Sequence, residues 1–292
     1  MRRRALLHLA GGSLLAGALP ATAGAIPRRI VSLDYGIAST LLSLGVVPAA
    51  VASLADWPKW VVEPAMPDGV IDLGNSWEVN FEILTALKPD LILTTPYLDA
   101  SLPRLEAVSR VLRLPVFSPD GGAILPSAIA ATRVLAERIG RAAEGERFLA
   151  DADAAFEACR RRLAGREQPP LAFVNFMDAR HARIYGPPGM FHGVLTRLGL
   201  VNAWTQESNY WGFQTIGIEE LARVRDSRAR LFALEPLPPD VLPKLAESPL
   251  WQALPFARPG HFEVMPAALM FGMVNEALRF ARLLTERLEA AA

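Results

Sequence analysis

The sequence predicts an α/β fold of two lobes joined by one long helix, and three observations support this prediction. Short apolar runs typical of strands alternate with amphipathic stretches on both sides of the segment Glu146–Leu163. That segment repeats apolar residues at three- and four-residue steps and ends in Arg160–Arg162, a pattern that predicts one continuous helix. At 292 residues the chain is long enough for two domains, each with a core of its own. A cleft between two lobes is a usual place for a small ligand.

The first half of the chain shows the alternation of strands and helices most clearly. A short helix that contains Phe81 stops at Pro89, which cannot continue a helix, and Leu91–Leu93 follows as a buried strand. The predicted strands of this half are Arg29–Leu33, Val46–Ala52, Leu91–Leu93 and Pro115–Phe117. The other predicted helices end at Leu44 and Leu112 or span Ser127–Ile139. Because open α/β sheets bind ligands at the carboxyl ends of strands, we expect Thr94–Tyr97 to face the cleft.

The second half repeats the alternation after the long helix. Its predicted strands are Leu171–Phe176, Leu231–Leu234 and His261–Val264, and its predicted helices are Phe191–Leu198, Ile218–Val224 and Phe271–Leu288. The loop Asn202–Phe213 carries three aromatic rings. We therefore divide the chain into a first lobe at residues 26–141, the connecting helix at 142–165 and a second lobe at 166–292. With one stiff helix between the lobes we expect only a small closure on ligand binding.

Residues 1–25 have the features of a cleaved export signal. Arg2–Arg4 precede a moderately apolar middle, and Ala23–Ala25 form an A-x-A cleavage site. The Arg3-Arg4 pair indicates a twin-arginine signal; the alternative is a general secretory signal that happens to contain three arginines. No later apolar run reaches the roughly 20 residues of a membrane span, and no cysteine stands in a lipid-attachment position after the cleavage site. We therefore predict a free protein of the periplasm.

Composition argues against several classes of function. The formal net charge is zero and no basic patch occurs, so a nucleic-acid partner is not predicted. Cys159 is the single cysteine, which excludes an internal disulfide, and its apolar position on the connecting helix indicates a buried small side chain. No G-x-S-x-G, P-loop, H-E-x-x-H or dinucleotide-binding glycine motif is present, and we do not predict an enzyme. His181, His192 and His261 are far apart, so we expect no metal ligands from the protein.

The candidate ligand-binding residues of the cleft are mainly aromatic. They are Trp60, Trp77, Tyr97, Tyr210 and Trp211, with Tyr35 as a further candidate. Trp57 is as consistent with a core side chain as with a ligand contact. Flat rings with a polar atom suit a large, partly apolar guest, because they bury area at low entropic cost and can still donate a hydrogen bond.

A set of ordered motifs resembles a known family along essentially the whole chain. The motifs are N-F-E-x-L-x-A-L-K-P-D-L-I-L from Asn80, W-V-V-E-P-A-M-P-D-G-V-I-D-L-G from Trp60, Y-G-P-P-G-M-F-H from Tyr185, N-A-W-T-Q-E-S-N-Y-W-G from Asn202 and P-L-W-Q-A-L-P-F-A-R-P-G from Pro249. This set resembles the substrate-binding proteins of iron-siderophore and vitamin B12 importers, especially those that bind ferric hydroxamates. The resemblance implies the helical-backbone, class III periplasmic binding fold. It also implies a monomeric, non-enzymatic receptor that delivers a ferric siderophore to an inner-membrane ABC permease.

The resemblance implies roles for individual residues and also shows two departures. Trp211 and Asn209 match the family pattern, and Tyr97 matches it after a loop shift of one residue. Ser76 stands where the ferric-hydroxamate binders have an arginine that touches the iron-chelating oxygens, and Leu269 stands where they have a tryptophan. Our hypothesis is that Arg180 of the opposite lobe supplies the missing positive charge.

The charge of the guest favours one class of siderophore. A ferric trihydroxamate is roughly neutral and its iron is already saturated, whereas a ferric tris-catecholate carries a large negative charge and calls for several arginines in the cleft. We therefore expect a hydroxamate or mixed-ligand siderophore, with iron carried only inside it and no other cofactor. Cobalamin or haem in the same fold is the first alternative. An extracytoplasmic enzyme that cleaves or reduces its ligand is the second.

Two glutamates are candidates for docking to the permease. By resemblance, Glu82 and Glu219 are acidic residues on the outer face of each lobe that contact permease arginines. Rim charges of this kind favour orientation and encounter more than affinity. The alternative is that both are solvated carboxylates at helix starts.

Overall fold

The computed structural model describes residues 26–290, so the predicted export signal lies outside the described residues. The first lobe contains a five-stranded parallel sheet in the order β3-β2-β1-β4-β5. Its strands are β1 (Ile30–Ser32), β2 (Ala50–Val51), β3 (Ile71–Asp72), β4 (Leu91–Thr94) and β5 (Val111–Arg113). Its α-helices are α1 (Tyr35–Ser43), α2 (Trp57–Trp60), α3 (Phe81–Leu87), α4 (Leu102–Glu106) and α5 (Ile124–Arg138). The parallel order follows from the helical crossovers between successive strands.

The connecting helix α6 is Ala142–Leu163 and has 22 residues, or about 33 Å at 1.5 Å per residue. It begins four residues before the predicted Glu146 and ends at the predicted residue. Cys159 is buried on its apolar face, as expected. Arg160–Arg162 occupy the last turn, where cations interact favourably with the helix dipole.

The second lobe contains a mixed five-stranded sheet in the order β10-β9-β6-β7-β8, in which β7 is antiparallel to both of its neighbours. Its strands are β6 (Leu171–Phe176), β7 (His181–Tyr185), β8 (Phe213–Gly217), β9 (Arg230–Leu234) and β10 (Phe262–Met265). Its α-helices are α7 (Met190–Leu198), α8 (Val241–Glu247), α9 (Pro249–Gln252) and α10 (Val274–Ala290). The two-lobed α/β fold with a connecting helix is therefore confirmed.

Two local predictions are wrong. The strand predicted at Pro115–Phe117 is absent, and the fifth strand is Val111–Arg113, which we had assigned to the end of a helix. Val111 pairs with Ile92 of β4, whereas Pro115 has no N–H to donate to a ladder. The antiparallel pair β7 and β8 was also missed, because its strands mix exposed and buried residues and show no continuous apolar run.

The largest hydrophobic cluster extends through both lobes, so the expectation that each lobe has a separate core is wrong for this cluster. That cluster joins Ile37 and Leu41 of the first lobe to Phe173 and Phe232 of the second sheet. The helices α5, α6, α7 and α10 contribute to the same cluster. Because these amphipathic helices pack along both lobes, their apolar faces fill one continuous interior.

The C-terminal helix α10 is a second bridge between the lobes. At its start the buried carboxylate of Glu276 accepts hydrogen bonds from Ser39 Oγ of α1 at 2.6 Å and from Met273 N at 2.7 Å. Near its end Glu289 Oε1 accepts from Arg162 Nε of α6 at 3.0 Å. Gly36 lies directly against this region, since a Cβ on it would be 2.8 Å from the backbone of Gly272. The lobes are thus joined covalently by α6 and packed together by α10.

Candidate functional site

The first lobe presents hydroxyl and carboxyl groups at the carboxyl ends of its strands. Asp34 follows β1 and caps α1, where its Oδ1 accepts a hydrogen bond from Ile37 N at 2.9 Å. The Tyr35 hydroxyl donates to Ser53 O at 2.5 Å, and the Tyr97 hydroxyl donates to Leu33 O at 3.4 Å. This edge is where parallel sheets place ligands, as the sequence predicted for Thr94–Tyr97.

Burial changes the proton affinity of these groups. It raises the pKa of the Asp34 carboxyl to about 6, against the opposing effect of hydrogen bonds from Ile37 N and Gly36 N. It also raises the pKa of Tyr97 to about 12, and the Asp34 carboxylate adds to this increase. Tyr97 therefore keeps its proton at neutral pH and remains a hydrogen-bond donor.

Aromatic rings of both lobes meet in one group, which we call the ring cluster. Its members are Trp77, Tyr97 and Phe117 of the first lobe and Tyr210, Trp211 and Phe271 of the second.

Trp211 is the centre of the ring cluster. Its ring centroid lies 6.3 Å from Tyr97 and 5.4 Å from Phe117 across the boundary between the lobes. On its own side it lies 4.8 Å from Tyr210 and 5.4 Å from Phe271. These separations are typical of interacting aromatic pairs.

The outer edge of the ring cluster is open to solvent. Trp77 is 74% exposed and its ring lies 5.0 Å from that of Tyr97. Tyr97, Tyr210 and Trp211 are half-buried. An exposed tryptophan beside partly exposed rings leaves apolar surface that a guest can cover.

A tight turn fixes the position of Trp211. Asn209 Oδ1 accepts hydrogen bonds from Trp211 N at 3.0 Å and from Phe213 N at 3.3 Å. Gly212 has a φ of +83°, and a Cβ on it would overlap the backbone of Gly189. Asn209 was predicted to contact the ligand. In the structure its amide oxygen holds the turn, and its amide nitrogen forms no hydrogen bond with another described residue.

The predicted ring Trp60 lies beside a separate apolar patch at the junction of the lobes. Trp57, the residue left open between core and ligand contact, is only 2% exposed and donates from Nε1 to Pro64 O at 2.9 Å, so it is a core side chain. Leu269 is 8% exposed and belongs to the same buried patch as Trp57. Trp60 and Phe271 are both partly buried against this patch. Leu269 therefore supports the site from the interior and presents little surface to a ligand.

The structure does not bring Arg180 to the ring cluster. Its N–H donates to Asp178 Oδ1 at 2.6 Å and its carbonyl accepts from Ile218 N at 2.9 Å, so it lies beside the segment that carries Glu219. None of its hydrogen bonds within residues 26–290 involves a residue of the ring cluster. Ser76 does lie next to Tyr97, and its N–H donates to Ser53 Oγ at 2.9 Å.

Glu82 and Glu219 are both exposed residues at the start of a helix, one in each lobe. Glu82 is exposed in the first turn of α3, and Glu219 is exposed in the first turn of the 3₁₀ helix Ile218–Arg223. Neither forms a salt bridge with another described residue. The Glu219 carboxylate folds over Gly217, where a Cβ would overlap it.

Two members of the ring cluster, Phe117 and Phe271, were not predicted from the sequence. Phe271 lies two residues after Leu269 in the segment that we had compared with the family pattern, so the signal was present. Phe117 follows the last strand of the first sheet and was assigned to a strand interior. Its place after β5 at the carboxyl edge is the signal that could have identified it.

Neither a metal-ion site nor a membrane-spanning helix occurs in the part of the chain that the structure describes. Within residues 26–290 no three His, Cys, Asp or Glu side chains form a group that could hold a metal ion. No helix in the same part of the chain combines the length and the apolar character needed to cross a bilayer.

Comparisons with known proteins agree with this architecture. The periplasmic binding protein family profile matches residues 30–269. The Iron(3+)-hydroxamate-binding protein FhuD of Escherichia coli (strain K12) is 33% identical over 97% of this chain and 95% of its own length. The achromobactin-binding periplasmic protein of Dickeya dadantii (strain 3937) is 27% identical, with 86% of this chain and 84% of its own length covered.

A solved structure is similar over nearly its whole length. The Fe3+–Desferal-bound siderophore binding protein FhuD from Vibrio cholerae superimposes with a TM-score of 0.84 at 28% identity, and the match covers 91% of this chain and 99% of that one. The resemblance inferred from the sequence motifs is confirmed by these matches. The chain belongs to the periplasmic binding protein family.

Proposed function

We propose that this protein is the substrate-binding component of an ABC importer and that it binds a ferric siderophore between its two lobes. The observation that carries the proposal is the contact of Trp211 in the second lobe with Tyr97 and Phe117 in the first. The relative in Escherichia coli is named for binding an iron(3+)-hydroxamate, and the structure from Vibrio cholerae contains Fe3+–Desferal.

The ring cluster suits a guest that is recognised as a whole molecule. A chelator that saturates its iron leaves no coordination position for the protein, so affinity comes from stacking, area burial and a few hydrogen bonds. Trp77 and Trp211 supply ring faces. The Tyr97 hydroxyl stays protonated because its pKa is raised, and its one proton, held by Leu33 O only at 3.4 Å, can turn to a chelating oxygen when a guest binds.

The charge of the site favours a hydroxamate over a catecholate siderophore. Within residues 26–290 no lysine or arginine stacks on a ring of the ring cluster, and Ser76 is the residue next to Tyr97. Burying a multiply charged anion without a cationic partner is costly, whereas a roughly neutral ferric trihydroxamate avoids that cost. The iron is cargo inside the siderophore.

Delivery to the permease would use the two exposed glutamates. Glu82 and Glu219 lie in the first turn of a helix, one in each lobe, and carry no salt bridge to another described residue. The proposal includes binding as a monomer, release from the export signal near Ala25 and no chemical change in the guest.

Titration of intrinsic tryptophan fluorescence tests the proposal. Ferric hydroxamates, ferric catecholates, cobalamin and haem are added separately to the purified mature protein, and the recovered guest is analysed by mass spectrometry. We expect saturable quenching by ferric hydroxamates, because Trp77 and Trp211 lie in the site, and recovery of an unaltered guest. Saturable quenching by cobalamin or haem alone, or a cleaved or reduced guest, would overturn the proposal.

A further inference from the structure

A second compartment lies at the junction of the lobes, and we call it the seam cavity. Its volume is about 670 Å³, within the range of small-molecule sites. The first lobe contributes Pro58, Lys59 and Val62, and the second contributes Glu235, Pro236, Leu237, Pro238, Pro239, Leu242, Val264, Pro266, Ala267 and Arg279. The seam cavity does not share a residue with the ring cluster.

The seam cavity and the ring cluster are nevertheless built from neighbouring residues of one segment. The chain after β10 supplies Ala267 to the seam cavity and Phe271 to the ring cluster. Three residues lie between these two positions, so their Cα atoms are at most about 14 Å apart. On the other wall, α2 supplies Lys59 to the seam cavity and Trp60 to the patch shared with Phe271. A single guest that extends over about 14 Å therefore spans these two positions.

The walls of the seam cavity suit an aliphatic chain. Five of its lining residues are proline, and the others include two leucines, two valines and an alanine. Proline loses almost no side-chain entropy when a ligand covers it, so such a wall binds methylene groups without an ordering cost.

Charge at the seam cavity favours an anionic end group. Lys59 Nζ lies 4.8 Å from the Trp60 ring and forms no salt bridge with a carboxylate of residues 26–290. Arg279 donates from Nε to Ala267 O at 3.0 Å and pairs through Nη1 with Glu63 at 3.1 Å. Glu235 is the single acidic lining residue, and because Glu63 already pairs with Arg279, Lys59 is the lining cation left to meet an anionic group.

We propose that the seam cavity binds a pendant arm of the siderophore, an aliphatic chain that ends in a carboxylate paired with Lys59. This inference rests on the proposed function, since it places the iron chelate at the ring cluster. According to this inference, residues that do not contact the iron chelate determine which ferric hydroxamate the protein binds most tightly. Guests with an acidic arm bind more tightly than guests that share the chelate and lack the acid.

A matched pair of ligands tests the inference. One linear trihydroxamate with a terminal amine is capped with a succinyl group, which ends in a carboxylate, or with an acetyl group, which is neutral. The ferric complexes are titrated by tryptophan fluorescence at low salt. We expect the succinyl complex to bind about two- to fivefold more tightly, the effect of one partly exposed ion pair. Lys59→Gln should abolish this ratio, whereas Lys88→Gln, at the exposed residue that follows α3, should keep it.

A steric variant gives an independent measurement. Ala267→Trp places a large side chain in the seam cavity and should weaken the succinyl complex more than the acetyl complex, with circular dichroism and thermal unfolding reporting whether the variant folds. Equal affinity of the wild type for both complexes, or a ratio that survives Lys59→Gln, would overturn the inference while leaving the proposed function intact. Failure of both complexes to bind the wild type would overturn the proposed function.

Discussion

The two lobes fix their parts of the site in different ways. The first lobe places Tyr97 directly after a buried parallel strand and holds its hydroxyl near the backbone of Leu33. The second lobe places Trp211 on a turn held by Asn209 and by close packing of Gly212 against Gly189. A hydrogen-bonded sheet edge tolerates small adjustments, whereas two backbones in van der Waals contact do not. We therefore expect the second lobe to be the more sensitive half of the site.

Substitution of Gly212 by alanine should have the largest effect. The new Cβ would overlap the backbone of Gly189, and the positive φ adds strain, so the turn that carries Trp211 must move. We expect a loss of about 3 kcal/mol or more in stability. Affinity for ferric hydroxamates should fall at least about tenfold, as measured by urea unfolding and fluorescence titration.

Gly199→Ala is the matched control for that variant. Gly199 also has a positive φ, of +76°, but nothing lies within 4 Å of the position of a Cβ. The Gly199→Ala substitution should cost only about 1–2 kcal/mol of stability, because alanine disfavours a positive φ. The affinity of this variant should not change. Equal losses of affinity in the two variants would show that close packing at Gly212 does not position Trp211.

Substitutions at Trp211 and Tyr97 compare the contributions of the two lobes to binding. Trp211→Ala deletes the ring that contacts four others, and we expect a loss of about 2 kcal/mol in binding, or about thirtyfold in Kd. Tyr97→Phe keeps the ring and removes one hydroxyl, with an expected loss of about 1 kcal/mol. A larger loss of affinity for Tyr97→Phe than for Trp211→Ala would contradict the expectation that the second lobe is the more sensitive half of the site.

The buried contact between α10 and α1 should depend on pH. Burial raises the pKa of Glu276 from 4.5 to about 7, against the lowering effect of the Ser39 hydrogen bond. The folded state therefore holds this proton more tightly than the unfolded state. The resulting stability is fully present below about pH 4.5 and is lost as the pH rises through about 7.

Urea unfolding of the wild type and Glu276→Gln between pH 4 and about 8 measures this effect. The wild type should lose up to about 3 kcal/mol relative to the variant over that interval. Asp34, whose pKa is also raised, titrates in both proteins, so its contribution largely cancels in the comparison. Parallel stability curves for the two proteins would show that Glu276 does not titrate in this range.

Substitution of Glu82 and Glu219, the proposed docking residues, should have the smallest effect on affinity for the siderophore. Glu82→Ala and Glu219→Ala each remove an exposed carboxylate that contacts no ring, so ferric hydroxamate binding should not change. Iron uptake by cells that carry the cognate permease should fall in each variant and further in the double variant. The control Glu106→Ala/Glu247→Ala removes two other exposed carboxylates and should leave uptake intact. Normal uptake by the Glu82/Glu219 double variant would contradict the docking role.

Much of the architecture could be read from local pattern. The connecting helix was predicted to its last residue, because apolar spacing and terminal charges are properties of the segment itself. The strand predicted at Leu91–Leu93, which extends to Thr94 in the structure, was found for the same reason. The antiparallel strands β7 and β8 were not found, since the burial of their mixed residues depends on which face the rest of the lobe covers.

The sequence by itself determined the two alternating halves, the long helix between them and the aromatic character of the cleft, because these follow from periodicity and residue type. Tertiary structure decided which rings meet. It buried Trp57 and Leu269, added Phe117 and Phe271 to the ring cluster and left Arg180 elsewhere. These outcomes depend on contacts between residues distant in sequence, such as those of α10 with α1, and no local pattern encodes such contacts.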